Sequence, residues 1–248
     1  MSARVPGDAA PSWILVPDLP AAGGRVSLGA GESHYLARVF RARPGDRVSA
    51  TDGNGAIAAL RLIEIGGSVT AEVETRERRE MEREAWVLCG APEGERADWM
   101  IEKLAELGVR VLQPLDCERG VWRGGARRIE RWRRVAAAAL RQSRRAFLLD
   151  VRPPMDLAGA LDALPAGGMR CLCDATGPHG VAAAAAGAGN AVGLIGPAAG
   201  FTAGEAERVR AAGFSPMRLA GARLRTETAA VAWAAWWASA MDAAPGAA

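Results

Sequence analysis

Met169-Arg-Cys-Leu-Cys173 runs directly into Asp174-Ala-Thr-Gly177, Ala191-Val-Gly-Leu-Ile195 into Gly196-Pro-Ala-Ala-Gly200, and Met217-Arg-Leu219 into Ala220-Gly-Ala-Arg-Leu-Arg225. Each is a short strand that empties into a loop containing glycine. In α/β folds, ligands collect at the carboxyl ends of strands. Small residues in such loops let backbone N–H and C=O groups approach a ligand closely. Three of these loops in so short a stretch are the strongest pointer to a binding site in the chain. The 196–200 loop is not a Walker loop, because no Gly-Lys-Ser/Thr follows it, and it is not a G-x-G-x-x-G fingerprint. A helix between the second and third loops is predicted to start at Thr202, with Glu205 as its capping partner, and to stop at Gly213.

Working outward, the same alternation of strand and helix holds from about Ala85, which predicts an α/β domain. Ala85-Trp-Val-Leu-Cys89 is a continuous apolar strand. A helix is predicted over Ala97–Leu107, with Met100, Ile101, Leu104 and Leu107 inward and Gly108 as its stop. Val109–Leu112 reads as the next strand. A long helix follows over Arg127–Arg145, with an apolar stripe of Ile129, Trp132, Val135, Ala136, Ala139 and Leu140. The final helix, from about Glu227 to Met241, is apolar all round and must be covered. Trp233, Trp236 and Trp237 share one face of it, so that face is either core or a homodimer interface.

The first 75 or so residues differ. Arg25–Leu28, Asp46–Ala50, Ala56–Leu62 and Ser68–Glu74 read as strands separated by turn signals such as Pro44-Gly-Asp and Asp52-Gly-Asn-Gly, which suggests a small β-barrel. One helix, Ser33–Arg41, is predicted to interrupt them with Leu36, Val39 and Phe40 on one face. The mixed-charge run Arg76–Glu84 has little to bury. The organisation read from the sequence is therefore a β-barrel domain over 1–75, a linker over 76–84 and an α/β domain over 85–248.

Composition excludes several classes. No apolar run reaches the ~18 residues that cross a bilayer. Met1–Ser12 lacks a basic stretch followed by an apolar core, so no signal peptide and a cytoplasmic location are expected. The cysteines (Cys89, Cys117, Cys171, Cys173) form no C-x-x-C pair and neither His34 nor His179 adjoins one, so no metal site is expected, only buried reduced thiols. The net charge of +3 is small, but ten arginines and one acid, Glu130, fall between Arg119 and Arg145. That block is either a solvated helix face or an electrostatic footprint for phosphate.

Gly196-Pro197…Gly200-Phe201-Thr202…Glu205, Gly213-Phe214, Leu219 and Leu224-Arg-Thr-Glu-Thr-Ala229 together resemble the C-terminal signature of the SPOUT-type enzymes that methylate N3 of a uridine in bacterial 16S rRNA. Glu32-Ser-His-Tyr-Leu-Ala-Arg-Val-Phe-Arg41 with Pro44-Gly-Asp46 is similar to the PUA-like N-terminal domain of that family. Lys103…Glu106-Leu-Gly, Pro114-Leu, Glu118-Arg119, Arg131-Trp132 and Gln142-Ser143…Arg145 follow in the family's order. The resemblance implies a trefoil-knotted α/β domain, S-adenosylmethionine as methyl donor, no metal, ribosomal RNA of the small subunit as partner, and a homodimer through the C-terminal domain. It implies cofactor contacts from Asp174, Gly177, Ile195, Gly196, Pro197, Gly200, Leu219, Ala220, Leu224 and Thr226. Six positions in four stretches depart from the family pattern. Ala198-Ala199 stands for Glu-Gly, Ala222-Arg223 for Arg-Ile, Glu93 for the lysine of Pro-Lys-Gly, and Arg141 for a glutamate.

The chemistry this family performs needs a weakly acidic imide N–H to become an anion, and a fixed cation stabilises one. Arg225 is the first candidate for that cation and Arg145 the second, because arginine stays charged and offers a planar donor fork. Glu227 is either a general base or a charge partner in the first turn of its helix. Arg38, Arg41, Arg119 and Arg144 are the candidate RNA contacts. Two other readings stay open: methyl transfer to a different RNA or a small molecule, and a non-catalytic RNA-binding relative.

Overall fold

The computed structural model describes residues 12–179 and 189–242. The leader reading of Met1–Ser12 therefore lies outside the described residues except at Ser12. The chain separates into two compact units, one of residues 1–81 with 140–148, the other of residues 82–139 with 149–248.

The first unit is a five-stranded sheet in the order β1-β3-β4-β5-β2. Its strands are β1 (Trp13–Leu15), β2 (Arg25–Ser27), β3 (Arg47–Thr51), β4 (Ala56–Ile65) and β5 (Val69–Arg78). β1 lies parallel to β3, and the remaining pairs are antiparallel. Alternation in β4 and β5 sends Leu60, Leu62, Val69, Ala71 and Val73 into a core shared with Ile14, Leu36 and Val48. Residues 140–148 join this unit. Thr51 Oγ1 donates to Ala146 O at 2.9 Å and Trp13 Nε1 to Arg145 O at 3.2 Å, while Leu140 and Ala146 pack with Trp13 and Ile57.

The helix expected over Ser33–Arg41 begins earlier, as α1 (Ala30–His34), and continues as a π-helical turn over Tyr35–Phe40 that Arg41 ends at φ 55°. The wider turn breaks the i, i+3 register assumed from the sequence. Leu36 is buried as expected, but Val39 swings out and is 66% exposed.

The second unit is built on a seven-stranded parallel sheet, β12-β10-β11-β6-β7-β8 with β9 also paired to β7. Its strands are β6 (Ala85–Gly90), β7 (Val111–Asp116), β8 (Asp150–Val151), β9 (Met155–Asp156), β10 (Met169–Cys173), β11 (Ala191–Ile195) and β12 (Ser215–Met217). A parallel sheet is covered on both faces, and every residue of β6 and β11 is buried accordingly. β7 starts two residues later than expected and runs on through Pro114, because Leu107–Arg110 is spent on leaving α2 (Ala97–Glu106). The long helix α3 (Ala126–Ser143) sends Trp132 inward, edge-to-face on Trp122, with centroids 5.0 Å apart. Trp122 Nε1 in turn donates to Cys89 O at 2.9 Å. α4 (Leu157–Asp162) follows β9 directly.

The helix expected between the second and third loops is α5 (Ala203–Ala211), and its capping box is present. Thr202 Oγ1 accepts from Glu205 N, and Glu205 Oε2 accepts from Thr202 N at 2.8 Å. Glu205 is buried and also accepts from Glu118 N. Thr202→Ala is expected to lower stability by about 1 kcal/mol, read as a shift in the urea midpoint at unchanged slope. The last helix, α6 (Thr226–Asp242), lies on β6, β11 and α2. Trp233 is seated directly on Gly193, where a Cβ would stand 2.4 Å from the indole. Trp233 and Trp237 are both buried within one chain, so these rings are core.

Candidate active site

β12, β10 and β11 are immediate neighbours in a parallel sheet, so their carboxyl ends open on the same edge. The loops that follow them are thereby forced together. They enclose a cleft of about 850 Å³, within the range of small-molecule sites. All ten residues expected to contact a cofactor line it: Asp174, Gly177, Ile195, Gly196, Pro197, Gly200, Leu219, Ala220, Leu224 and Thr226. Arg225 and Glu227 line it as well.

Each loop is fixed by its own bonds. Asp174 N donates to Met217 O at 3.0 Å and Asp174 Oδ1 accepts from Thr176 N at 2.8 Å, which ties the first loop to β12. Arg218 N donates to Pro178 O at 2.7 Å. The second loop turns back through Gly200 N donating to Pro197 O at 2.8 Å. It rests on the end of β6, where a Cβ at Gly90 would lie 2.3 Å from Pro197 N. The third loop is bonded to the second through Thr226 Oγ1 to Gly196 O at 3.2 Å and Arg223 Nη2 to Ala198 O at 2.8 Å.

The wall has an apolar part and a charged part. Leu172, Ile195, Phe201, Met217, Leu219 and Leu224 offer surface for a flat apolar ring, and the small residues of the loops expose backbone polar groups beside it. Arg210, Arg218, Arg223 and Arg225 stand against Glu93, Asp174 and Glu227. Glu227 is only 3% exposed, and its Oε1 accepts from Arg96 Nη1 at 2.6 Å. Arg225 is exposed and its carbonyl accepts from Ala229 N at 2.8 Å, in the first turn of α6.

Cys173 also lines the cleft. Burial pushes its thiol well above the ordinary range and raises those of Cys89 and Cys171, while Cys117 is pushed up to about 12. All four cysteines are free thiols, three of them buried and Cys173 half-buried, and a raised thiol is a poor source of thiolate nucleophile. Among the described residues no group of His, Cys, Asp and Glu is placed to hold a metal ion.

Other sequence-derived candidates fall elsewhere. Arg145 belongs to the 140–148 segment of the first unit and is not among the residues lining the cleft. Arg38, Arg41 and Arg144 are exposed on that same unit, where an ion pair between Glu32 and Arg141 joins α1 to the end of α3. Arg119 is exposed on the second unit. Arg210 and Arg218 were not singled out in the sequence; their only signal is that one sits on α5 and the other directly follows β12. Of the departures from the family pattern, Glu93, Ala198, Ala222 and Arg223 line the cleft.

Comparison with known proteins places the molecule. Residues 79–238 match the model of an RNA methyltransferase domain, and residues 28–74 that of an RNA methyltransferase PUA domain. The chain is 31% identical to ribosomal RNA small subunit methyltransferase E of Mycobacterium bovis over 92% of its own length and 95% of that protein. It is 30% identical to the protein of the same name from Synechocystis over 52% of this chain and 43% of that one. The crystal structure of ribosomal RNA small subunit methyltransferase E from Neisseria gonorrhoeae, bound to S-adenosyl methionine, superposes with a TM-score of 0.82 at 27% identity, covering 93% of this chain and 96% of that chain. The chain therefore belongs to the RNA methyltransferase family of the ribosomal RNA small subunit methyltransferase E type.

Proposed function

We propose that this protein transfers a methyl group from S-adenosylmethionine to N3 of a uridine in 16S rRNA. The observation that carries the proposal is the convergence of three strand-end loops on one cleft that also contains Arg225 and Glu227. The cleft suits the cofactor, since it pairs apolar walls for an adenine with exposed loop backbone for the polar atoms. When bound, the cofactor supplies an electrophilic methyl group on a sulfonium.

The chain's own residues do the rest. A uridine N3–H is a weakly acidic imide, and the Arg225 guanidinium favours its anion by donating toward a neighbouring carbonyl oxygen. The assignment rests on Arg225 rather than Arg145 because Arg225 lines the cleft. Glu227 is the candidate proton acceptor, with one carboxylate oxygen engaged by Arg96. Positioning of the two reactants can contribute up to about 7–11 kcal/mol in favourable systems.

The reading extends to a cytoplasmic homodimer formed through the second unit, with the trefoil-knotted chain path of its family. No described helix is long and apolar enough to cross a membrane. Trp99, 47% exposed on α2, is an apolar group suited to a subunit contact. RNA is held by Arg38, Arg41, Arg119 and Arg144 through phosphate. RNA affinity is expected to fall steeply with salt, and replacing Arg38, Arg41 and Arg144 together by alanine should flatten the log–log slope by about 2. A slope unchanged by the triple substitution removes these side chains from the interface. One observation favours methyl transfer to a different substrate: Glu93, Ala198 and Ala222 differ from the family pattern and line the cleft.

An N3 methyl group blocks the pairing edge of uridine and stops reverse transcription. Primer extension on 16S rRNA from a strain lacking the gene is expected to lose one such stop, and a plasmid copy to restore it. An unchanged stop pattern contradicts the proposed substrate.

A further inference from the structure

We infer that Arg223 is a positioning residue that latches the third cleft loop onto the second and so sets cofactor affinity without touching the cofactor. The inference rests on the cofactor-binding reading given above. Arg223 Nη2 donates to Ala198 O at 2.8 Å, joining residues 25 apart in sequence. Thr226 Oγ1 makes a second tie, to Gly196 O at 3.2 Å, so two carbonyls of the 196–200 loop are held by the 219–226 loop. The side chains at 198 and 222 are methyl groups, which leaves the Ala198 carbonyl open to a long donor from position 223.

Apart from the turn bond from Gly200 N to Pro197 O and the bridge between Arg218 and His179, residues 196–200 and 218–225 lie outside helix and strand. A ligand that binds between the two loops needs them at a fixed separation, and a tie already made in the unbound protein removes part of the cost of holding them there. Arginine suits the task because it is always charged and spans the gap with a planar donor head. The bond is exposed, so its effect is modest.

The test is calorimetric titration of the full chain and its Arg223→Ala and Arg223→Lys variants with S-adenosylmethionine and with methylthioadenosine, which lacks the amino-acid carboxylate. Arg223 is exposed, so all three proteins should melt together. A latch predicts that Arg223→Ala weakens both ligands by the same factor, roughly five- to tenfold. Arg223→Lys, which can still donate to one carbonyl, should recover most of the loss. Weakening confined to S-adenosylmethionine means that Arg223 meets the ligand carboxylate directly and overturns the inference. Equal affinity in all three proteins overturns it too, with the cofactor reading intact. A parent protein that binds neither ligand removes that reading first.

Discussion

Replacing Arg225 by alanine is expected to slow methyl transfer by about 10²- to 10³-fold, the usual cost of deleting one donor aimed at developing charge. Affinity for S-adenosylmethionine should stay within a few-fold of the parent. The separation follows from where the residue sits. Its backbone is held by the carbonyl bond to Ala229 N, in the first turn of α6, so the loop survives loss of the side chain. The guanidinium, exposed at the cleft wall, is what the substrate anion would meet. Single-turnover methylation of small-subunit RNA, with a parallel cofactor titration, measures both quantities. Near-parental turnover in a variant that still binds cofactor takes Arg225 out of the chemistry.

The second large effect is expected at a residue that lines nothing. Gly90 closes β6, and a Cβ there would stand 2.3 Å from Pro197 N, 2.7 Å from Pro197 Cα and 2.8 Å from Gly196 C. These are backbone atoms and have no rotamer to retreat into, so Gly90→Ala must force the 196–200 loop and the end of β6 apart. A displacement of about 1 Å in a positioned site can cost 10²-fold. Cofactor affinity of Gly90→Ala is expected to fall by about that factor, with a loss of about 1–3 kcal/mol in stability from overpacking. Calorimetry and urea denaturation read the two numbers. Parental affinity would mean that the loop tolerates the shift and that its position does not set binding.

The parts of this account that were legible in the sequence are those where local chemistry and global fold agree. Three strands emptying into glycine-containing loops announce a cleft because a parallel sheet puts all its carboxyl ends on one edge. Thr202 and Glu205 announce a helix start because their side chains satisfy each other's backbone donors. Trp233 and Trp237 of α6 announce burial; that Trp233 is core follows from Gly193, whose missing Cβ makes room for it.

The features that escaped depend on contacts distant in sequence. β1 is three residues long and is a strand only because β3 accepts it in parallel. Residues 140–148 carry no local mark of joining the first unit; Leu140 reads as the end of a helical stripe and finds its partners in Trp13 and Ile57. Val39 was misplaced by a π-helical turn that no periodicity rule anticipates. Arg210 and Arg218 reach the cleft because α5 and β12 fold beside it, not through any motif of their own.

Everything rests on the loops after β10, β11 and β12 forming one preorganised cofactor site. The most direct measurement is an isothermal titration of the purified full-length protein with S-adenosylmethionine. The account predicts saturable binding of one cofactor per chain, with S-adenosylhomocysteine competing for the same site. A flat titration into the millimolar range from a folded protein would contradict it.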